Sequence, residues 1–128
     1  TPTCSEQQVP GFDVLYDQII DKGIDEVYCM SVNDSFVMNA WSRELSCSNV
    51  KMIPDGGAFF TQEMDMLVVK DNLGFGRRSW RYAMVVNNGV VEALFVEPGK
   101  QDDCLTDPYG ASSPEVVLEY LTNRAAAA

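Results

Sequence analysis

An α/β domain with a mixed central sheet flanked by helices is the fold class this sequence predicts, on three observations. Helical and strand-like segments alternate through the first half of the chain. The run "WRYAMVVNNGVVEALFVEP" carries a strong hairpin signal, and an amphipathic helix follows it. The chain of 128 residues suits one core. It shows neither an internal repeat nor a domain boundary.

The elements follow in order. "VPGFDVLYDQIIDKG" sets Phe12, Leu15, Tyr16 and Ile19 on one helical stripe, with Val9 and Ile20 beside it and Gly23 as a stop. Pro10 lacks a backbone donor, so the helix either starts or kinks there. "IDEVYCMSV" reads as a buried strand. "NDSFVMNAWSREL" reads as a second helix, capped by Asn33 or Asp34, with Phe36, Val37, Ala40 and Trp41 inward. A short strand "VKMI" runs into the turn "PDGG", and "AFFTQEMDML" predicts a third short helix. The hairpin turns at Asn-Gly. After the loop "GKQDDCLTDPYGAS", "SSPEVVLEYL" predicts the last helix, with Ser112 or Ser113 as cap and Glu115 in a capping box. The terminal "AAAA" (125–128) is given no structure.

Composition narrows the function classes. Hydrophobic residues make up 46% and charged residues 22%, as in ordinary globular proteins. Nine Lys and Arg against nineteen Asp and Glu leave a formal charge of −10, which disfavours nucleic acid and anionic membranes as partners. The basic stretch "GRRSWR" is too short to reverse that. No apolar run reaches the ~20 residues of a membrane helix. Histidine is absent, which removes Ser-His, Cys-His and His-metal constellations. No CxxC or CxxH pair occurs, so no metal site is expected. The four cysteines, Cys4, Cys29, Cys47 and Cys104, leave room for two disulfides in a secreted binding domain.

Cys4 draws the chemical argument. No apolar run surrounds it, and it sits at the start of the first helix. A free thiol titrates near 8.5, so about 3% is thiolate at neutral pH. A helix N-terminus and a guanidinium both favour the charged form. Ionisation alone gains only about thirtyfold, and nucleophilicity falls with it. A fast thiol enzyme must therefore also hold its substrate and stabilise the leaving oxygen. Thr1 lies on the same turn, and Arg81 interrupts "SWRYAMVV", where a strand would not bury a cation without a partner. Structural readings stand beside these: a small residue at a helix start for Cys4, and a rim ion pair for Arg81. Cys29 reads as an inert core thiol and Cys47 as an exposed thiol at a helix end. Cys104 lies beside two aspartates, which are expected to raise its pKa.

The blocks "TPTC", "SVND.F....W", "PDGGAF", "DMLV", "GFGRRSWRYAMVV.NGVVE" and "VEP", in that order, resemble the peroxiredoxin 5 subfamily. They are most similar to the peroxiredoxin half of bacterial peroxiredoxin–glutaredoxin hybrids. The resemblance covers residues 1–121. It implies a thioredoxin-like fold and a peroxidase of hydrogen peroxide and organic hydroperoxides, with no cofactor beyond an external thiol. It makes Cys4 the peroxidatic cysteine, cycling through sulfenic acid, with Thr1 and Arg81 catalytic beside it. Pro2 and Thr3 complete the active-site loop. Phe36 and Trp41 become candidates for the face of a homodimer. The family's Pro-Gly-Ala-Phe and the strand before it do not precede Thr1, so residues 1–124 are expected to be an N-terminally incomplete domain.

No glutaredoxin module follows Leu121, and two routes of recycling stay open. Cys104 lies where some family members carry a resolving cysteine. Glutathione, with or without glutaredoxin, or thioredoxin can instead reduce Cys4 directly. A cytoplasmic location is expected, with an organelle-targeted form left open by the start in mid-motif. A non-catalytic redox sensor or adaptor using the same Cys4 is the alternative function.

Overall fold

A computed structural model describes residues 1–127. Cys4–Gln8 form a π-helical turn that runs directly into α1 (Val9–Val14). Pro10 lies in the first turn of α1, where the spiral passes from π to α, so its missing N–H falls at that change of winding. Leu15 breaks the spiral, α2 (Tyr16–Asp21) follows, and Gly23 at φ 94° ends it. The single helix predicted over 9–23 is thus two helices, with the π-helical turn added before them. Its stripe holds at Ile19, 2% exposed, with Phe12 and Leu15 packed beside it. Tyr16 turns instead to Glu26.

β1 (Tyr28–Ser31) pairs in parallel with β2 (Lys51–Pro54), and α3 (Ser35–Glu44) makes the crossover between them. Asp34 is the cap, its Oδ1 accepting the Val37 N–H at 2.9 Å. The inward face differs from the expected one. Met38 is buried, with Trp41, Ser42 and Leu45 half-buried on the same stripe. Phe36, 84% exposed, and Val37 and Ala40 face outward. A stripe displaced by a position or two satisfies the same apolar spacing, and only the packed strand chooses between them.

α4 (Phe59–Glu63) stops well short of Leu67, because Asp65 adopts φ 59° and turns the chain into β3 (Leu67–Val69). β3 pairs antiparallel with β4 (Arg77–Ser79), a ladder not expected from the sequence. It seats Met66, Val68 and Trp80 in a small core. β5 (Tyr82–Asn87) and β6 (Val90–Val96) form the expected hairpin, with a bulge between Val85 and Val86. Asn88 and Gly89 both have positive φ, 52° and 80°, as the tight Asn-Gly turn requires.

α5 (Pro114–Ala127) closes the described chain. Ser113 is its cap, its Oγ accepting the Val116 N–H at 3.3 Å with Pro114 at the first helical position, so Glu115 completes no capping box. The helix runs on through most of the alanine tail, for which the sequence predicts no structure, alanine being the strongest helix former. Ala128 lies outside the described residues. Gly11 lets α1 meet the start of α5: a Cβ there would lie 2.7 Å from Pro114 Cγ. Ile19, Val85, Val117 and Leu121 form the main core.

The fold is the thioredoxin-like α/β arrangement expected, but its strands do not join in one mixed sheet. They form three two-stranded ladders, one parallel and two antiparallel. Each of β1 and β5 is paired along one edge only. A cavity of about 1820 Å³, lined by both, opens onto Cys4 and Arg81.

Candidate active site

The site forms where the first helical turn meets the loops after β4 and β6. Cys4 lies in the π-helical turn, a local widening of the spiral that is frequent at functional sites. Arg81 sits in the break between β4 and β5, where its carbonyl accepts the Glu97 N–H and its side chain turns toward Cys4. One guanidinium nitrogen, Nη1, donates to Asp107 Oδ1 and to the Pro108 carbonyl, both at 2.7 Å. The other, Nη2, donates to Thr1 Oγ1 at 3.3 Å and to Cys4 Sγ at 3.5 Å. Tyr109 lies against the guanidinium, 5.9 Å from ring centre to Cζ. Thr1 and Cys4 are thus brought to Arg81, which lies 80 and 77 residues from them in sequence.

The electrostatics follow from the burial of the Arg81 head group, whose side chain is 8% exposed. Burial alone would lower its pKa. The Asp107 hydrogen bond and the Cys4 sulfur outweigh it and hold the guanidinium above its ordinary value. Burial likewise pushes the Asp107 carboxyl up, but hydrogen bonds from Arg81 and Thr3 bring it below its ordinary range. Thr3 lies beside Asp107 as a lesser contributor to that lowering, while Pro2 lies exposed at the rim. Trp41, half-buried, donates from Nε1 to Ser5 Oγ at 2.9 Å and ties α3 to the thiol's helix. Phe36 lies exposed on α3, away from these contacts.

A buried polar chain also reaches Cys4, unforeseen in the sequence. The Cys4 thiol donates to Gln8 Oε1 at 3.5 Å. Gln8 Nε2 donates to the Ser112 carbonyl and to Ser112 Oγ, each at 3.2 Å. Ser112 Oγ donates to Glu97 Oε2, which also accepts the N–H groups of Ser112 and Gly110, while Oε1 accepts that of Ala111. Burial raises the Glu97 pKa, but these four donors overcome it and hold the carboxyl below its usual range. One signal was legible: Glu97 ends the apolar run "ALFVE", and a carboxylate there needs partners. Asp107 carried no such mark.

All four cysteines are free. Burial pushes the Cys29 thiol up to about 12, in keeping with an inert core residue. Cys47 is half-buried rather than exposed, its pKa raised by burial and by Asp13. Cys104 overturns its expectation: its pKa is lowered, first by Thr106 and then by Gln101. The neighbouring aspartates face away, Asp102 accepting the Val69 N–H and Asp103 the Asn72 N–H. Cys104 Sγ contacts Thr106 and Gln101, packs near Trp80, and forms no bond with Cys4. Among the described residues, no group of three or more His, Cys, Asp or Glu side chains is arranged to hold a metal ion. No described helix is long and apolar enough to cross a membrane.

The redoxin family model matches residues 1–109. A peroxiredoxin of Rhizobium etli is 60% identical over 121 residues, covering 94% of this chain and 68% of that protein. The hybrid peroxiredoxin hyPrx5 of Haemophilus influenzae is 46% identical over 121 residues, covering 94% of this chain and 48% of that protein. The chain therefore spans about half to two thirds of the length of these curated relatives. Among solved structures, reduced Prx3 of Vibrio vulnificus in complex with hydrogen peroxide superposes with a TM-score of 0.85. It is 40% identical, over 94% of this chain and 73% of that one.

Proposed function

The chain belongs to the redoxin family, among its Prx5-like peroxiredoxins, and on that premise we propose that it reduces hydroperoxides through Cys4. The observation that carries this reading is the fork of Arg81. Asp107 and Pro108 hold one guanidinium nitrogen, which leaves the other beside both Thr1 Oγ1 and Cys4 Sγ. A peroxide lying along Thr1 and Nη2 presents its terminal oxygen to the sulfur.

The Cys4 thiolate attacks that oxygen and the O–O bond breaks. The sulfur gives up an electron pair and becomes a sulfenic acid. The departing oxygen leaves with negative charge, which Arg81 Nη2 stabilises as it develops, and takes a proton to become alcohol or water. Thr1 Oγ1 orients the peroxide. An external thiol then attacks the sulfenic sulfur and expels water, and a second thiol reduces the mixed disulfide. Glutathione, with or without glutaredoxin, or thioredoxin supplies these thiols. Direct reduction is favoured over Cys104 because the Cys104 sulfur is engaged with Thr106 and Gln101. The exposed Phe36 and Val37 of α3 offer an apolar face for pairing in a homodimer. We place this activity in the cytoplasm.

The test is intact mass after one equivalent of peroxide, with and without glutathione, in the wild type and in Cys4→Ser. The wild type is expected to gain one oxygen, or one glutathione when that thiol is present, and Cys4→Ser is expected to gain neither. Unchanged peroxide consumption by Cys4→Ser would show that the nucleophile lies elsewhere.

A further inference from the structure

The sulfur of Cys4 has unlike neighbours. Arg81 offers it a donor at 3.5 Å, and Gln8 offers it an acceptor at 3.5 Å. The orientation of the Gln8 amide follows from the groups behind it. Glu97 receives four hydrogen bonds, one of them from the Ser112 hydroxyl at 2.5 Å. That hydroxyl proton is thereby committed to the carboxylate, and Ser112 Oγ has only lone pairs left for Gln8. The Ser112 carbonyl likewise only accepts. Both partners of the far end of Gln8 are acceptors, so that end must be the NH2 and the near end, facing Cys4, must be the carbonyl. Reversing the amide would set its carbonyl against two acceptors in a site where Gln8 is 9% exposed and Ser112 fully buried.

This polarity matters more after oxidation than before it. A sulfenic acid O–H can donate to Gln8 Oε1, whereas a sulfenate oxygen there would face a carbonyl dipole of the wrong sign. The sulfenate is the form that reacts readily with a second peroxide. In that step its sulfur takes one oxygen, the O–O bond breaks, and the other oxygen leaves with the peroxide's proton as water or alcohol, giving the sulfinic form. We propose that Gln8, polarised by Glu97 through Ser112, keeps oxidised Cys4 in the protonated sulfenic form and so protects it from further oxidation. The inference rests on the peroxidase reading above. It makes Gln8 a residue that acts on the product of the first step, and Ser112 and Glu97 positioning residues behind it.

The experiment treats reduced full chain with graded hydrogen peroxide in the absence of thiol. Sulfenic protein is trapped with dimedone, sulfinic protein is read by intact mass, and the ratio of second-step to first-step rate is compared between variants. In Gln8→Met, similar in size but without the acceptor, the ratio is expected to rise about fivefold, the factor one ordinary hydrogen bond is worth. In Gln8→Glu, whose carboxyl is held protonated by the same two acceptors so that its O–H replaces the amide donor to Ser112 and its carbonyl oxygen still faces the sulfur, it is expected to stay at or below the wild-type value. A packing role for Gln8 predicts the reverse, with methionine harmless in the core and glutamate disruptive. A wild-type ratio in Gln8→Met, or an equal rise in both variants, would overturn the inference. Ser112→Ala leaves the contact to Cys4 intact and loosens only the relay. Its ratio is expected to rise in the same direction, and no change there would overturn the role given to Glu97. Wild-type protein that forms no sulfenic product would instead overturn the peroxidase reading itself.

Discussion

Replacing Arg81 by lysine keeps the positive charge and removes the fork. Nη1 holds Asp107 Oδ1 and the Pro108 carbonyl at 2.7 Å, while Nη2 reaches Thr1 Oγ1 at 3.3 Å and Cys4 Sγ at 3.5 Å. A single ammonium nitrogen cannot serve both pairs. It is expected to stay with the shorter, charge-assisted pair, so the sulfur and the peroxide lose their donor. One ordinary hydrogen bond at about 1 kcal/mol and one to developing charge at about 2 kcal/mol amount to about 3 kcal/mol. That is roughly a 150-fold loss in kcat/KM. The assay is stopped-flow peroxide consumption under saturating thiol, with the unfolding midpoint as a control for folding. A variant within about threefold of wild type would refute the reasoning and reduce Arg81 to an anchor for the loop bearing Asp107.

Two further outcomes are expected. Glu97→Gln removes a buried charge that satisfies four donors and should cost about 3 kcal/mol of stability, read from urea titrations. Because the Glu97 pKa is depressed in the folded protein, its contribution is present above the ordinary range near 4.3 and is lost as pH falls through the lower folded value. The difference between wild type and variant should therefore be level at neutral pH and shrink only in acid; a gap that widens on acidification would contradict the assignment. Cys104→Ser should leave turnover with glutathione at the wild-type rate, measured in a coupled assay. A fall of about tenfold or more would assign the resolving role to Cys104.

What was legible in the sequence was legible for local reasons. The Asn88-Gly89 hairpin was clear because its backbone demands positive φ at adjacent residues, which few sequences supply. Asp34 and Ser113 were among the caps named because short polar side chains before a helix satisfy its first N–H groups. Cys4 stood out because no apolar neighbours explained it. The β3–β4 ladder was missed because three-residue strands carry too little alternation to register. The aspartates beside Cys104 misled for a related reason: sequence adjacency says nothing of where a carboxylate points, and both turn to backbone N–H groups elsewhere.

Taken alone, the sequence determined where most of the helices and the hairpin lie, that these 128 residues carry no histidine, and that a thiol and an arginine are the groups to watch. These depend on backbone preference and side-chain type, which are properties of residues and their near neighbours. Only the tertiary structure decided that Thr1 and Cys4 meet Arg81, that Asp107 braces it, and that Gln8, Ser112 and Glu97 line up behind the sulfur. Such contacts join residues up to 104 positions apart. Their hydrogen bonds exist only once the chain has excluded water around them, and no local pattern records that.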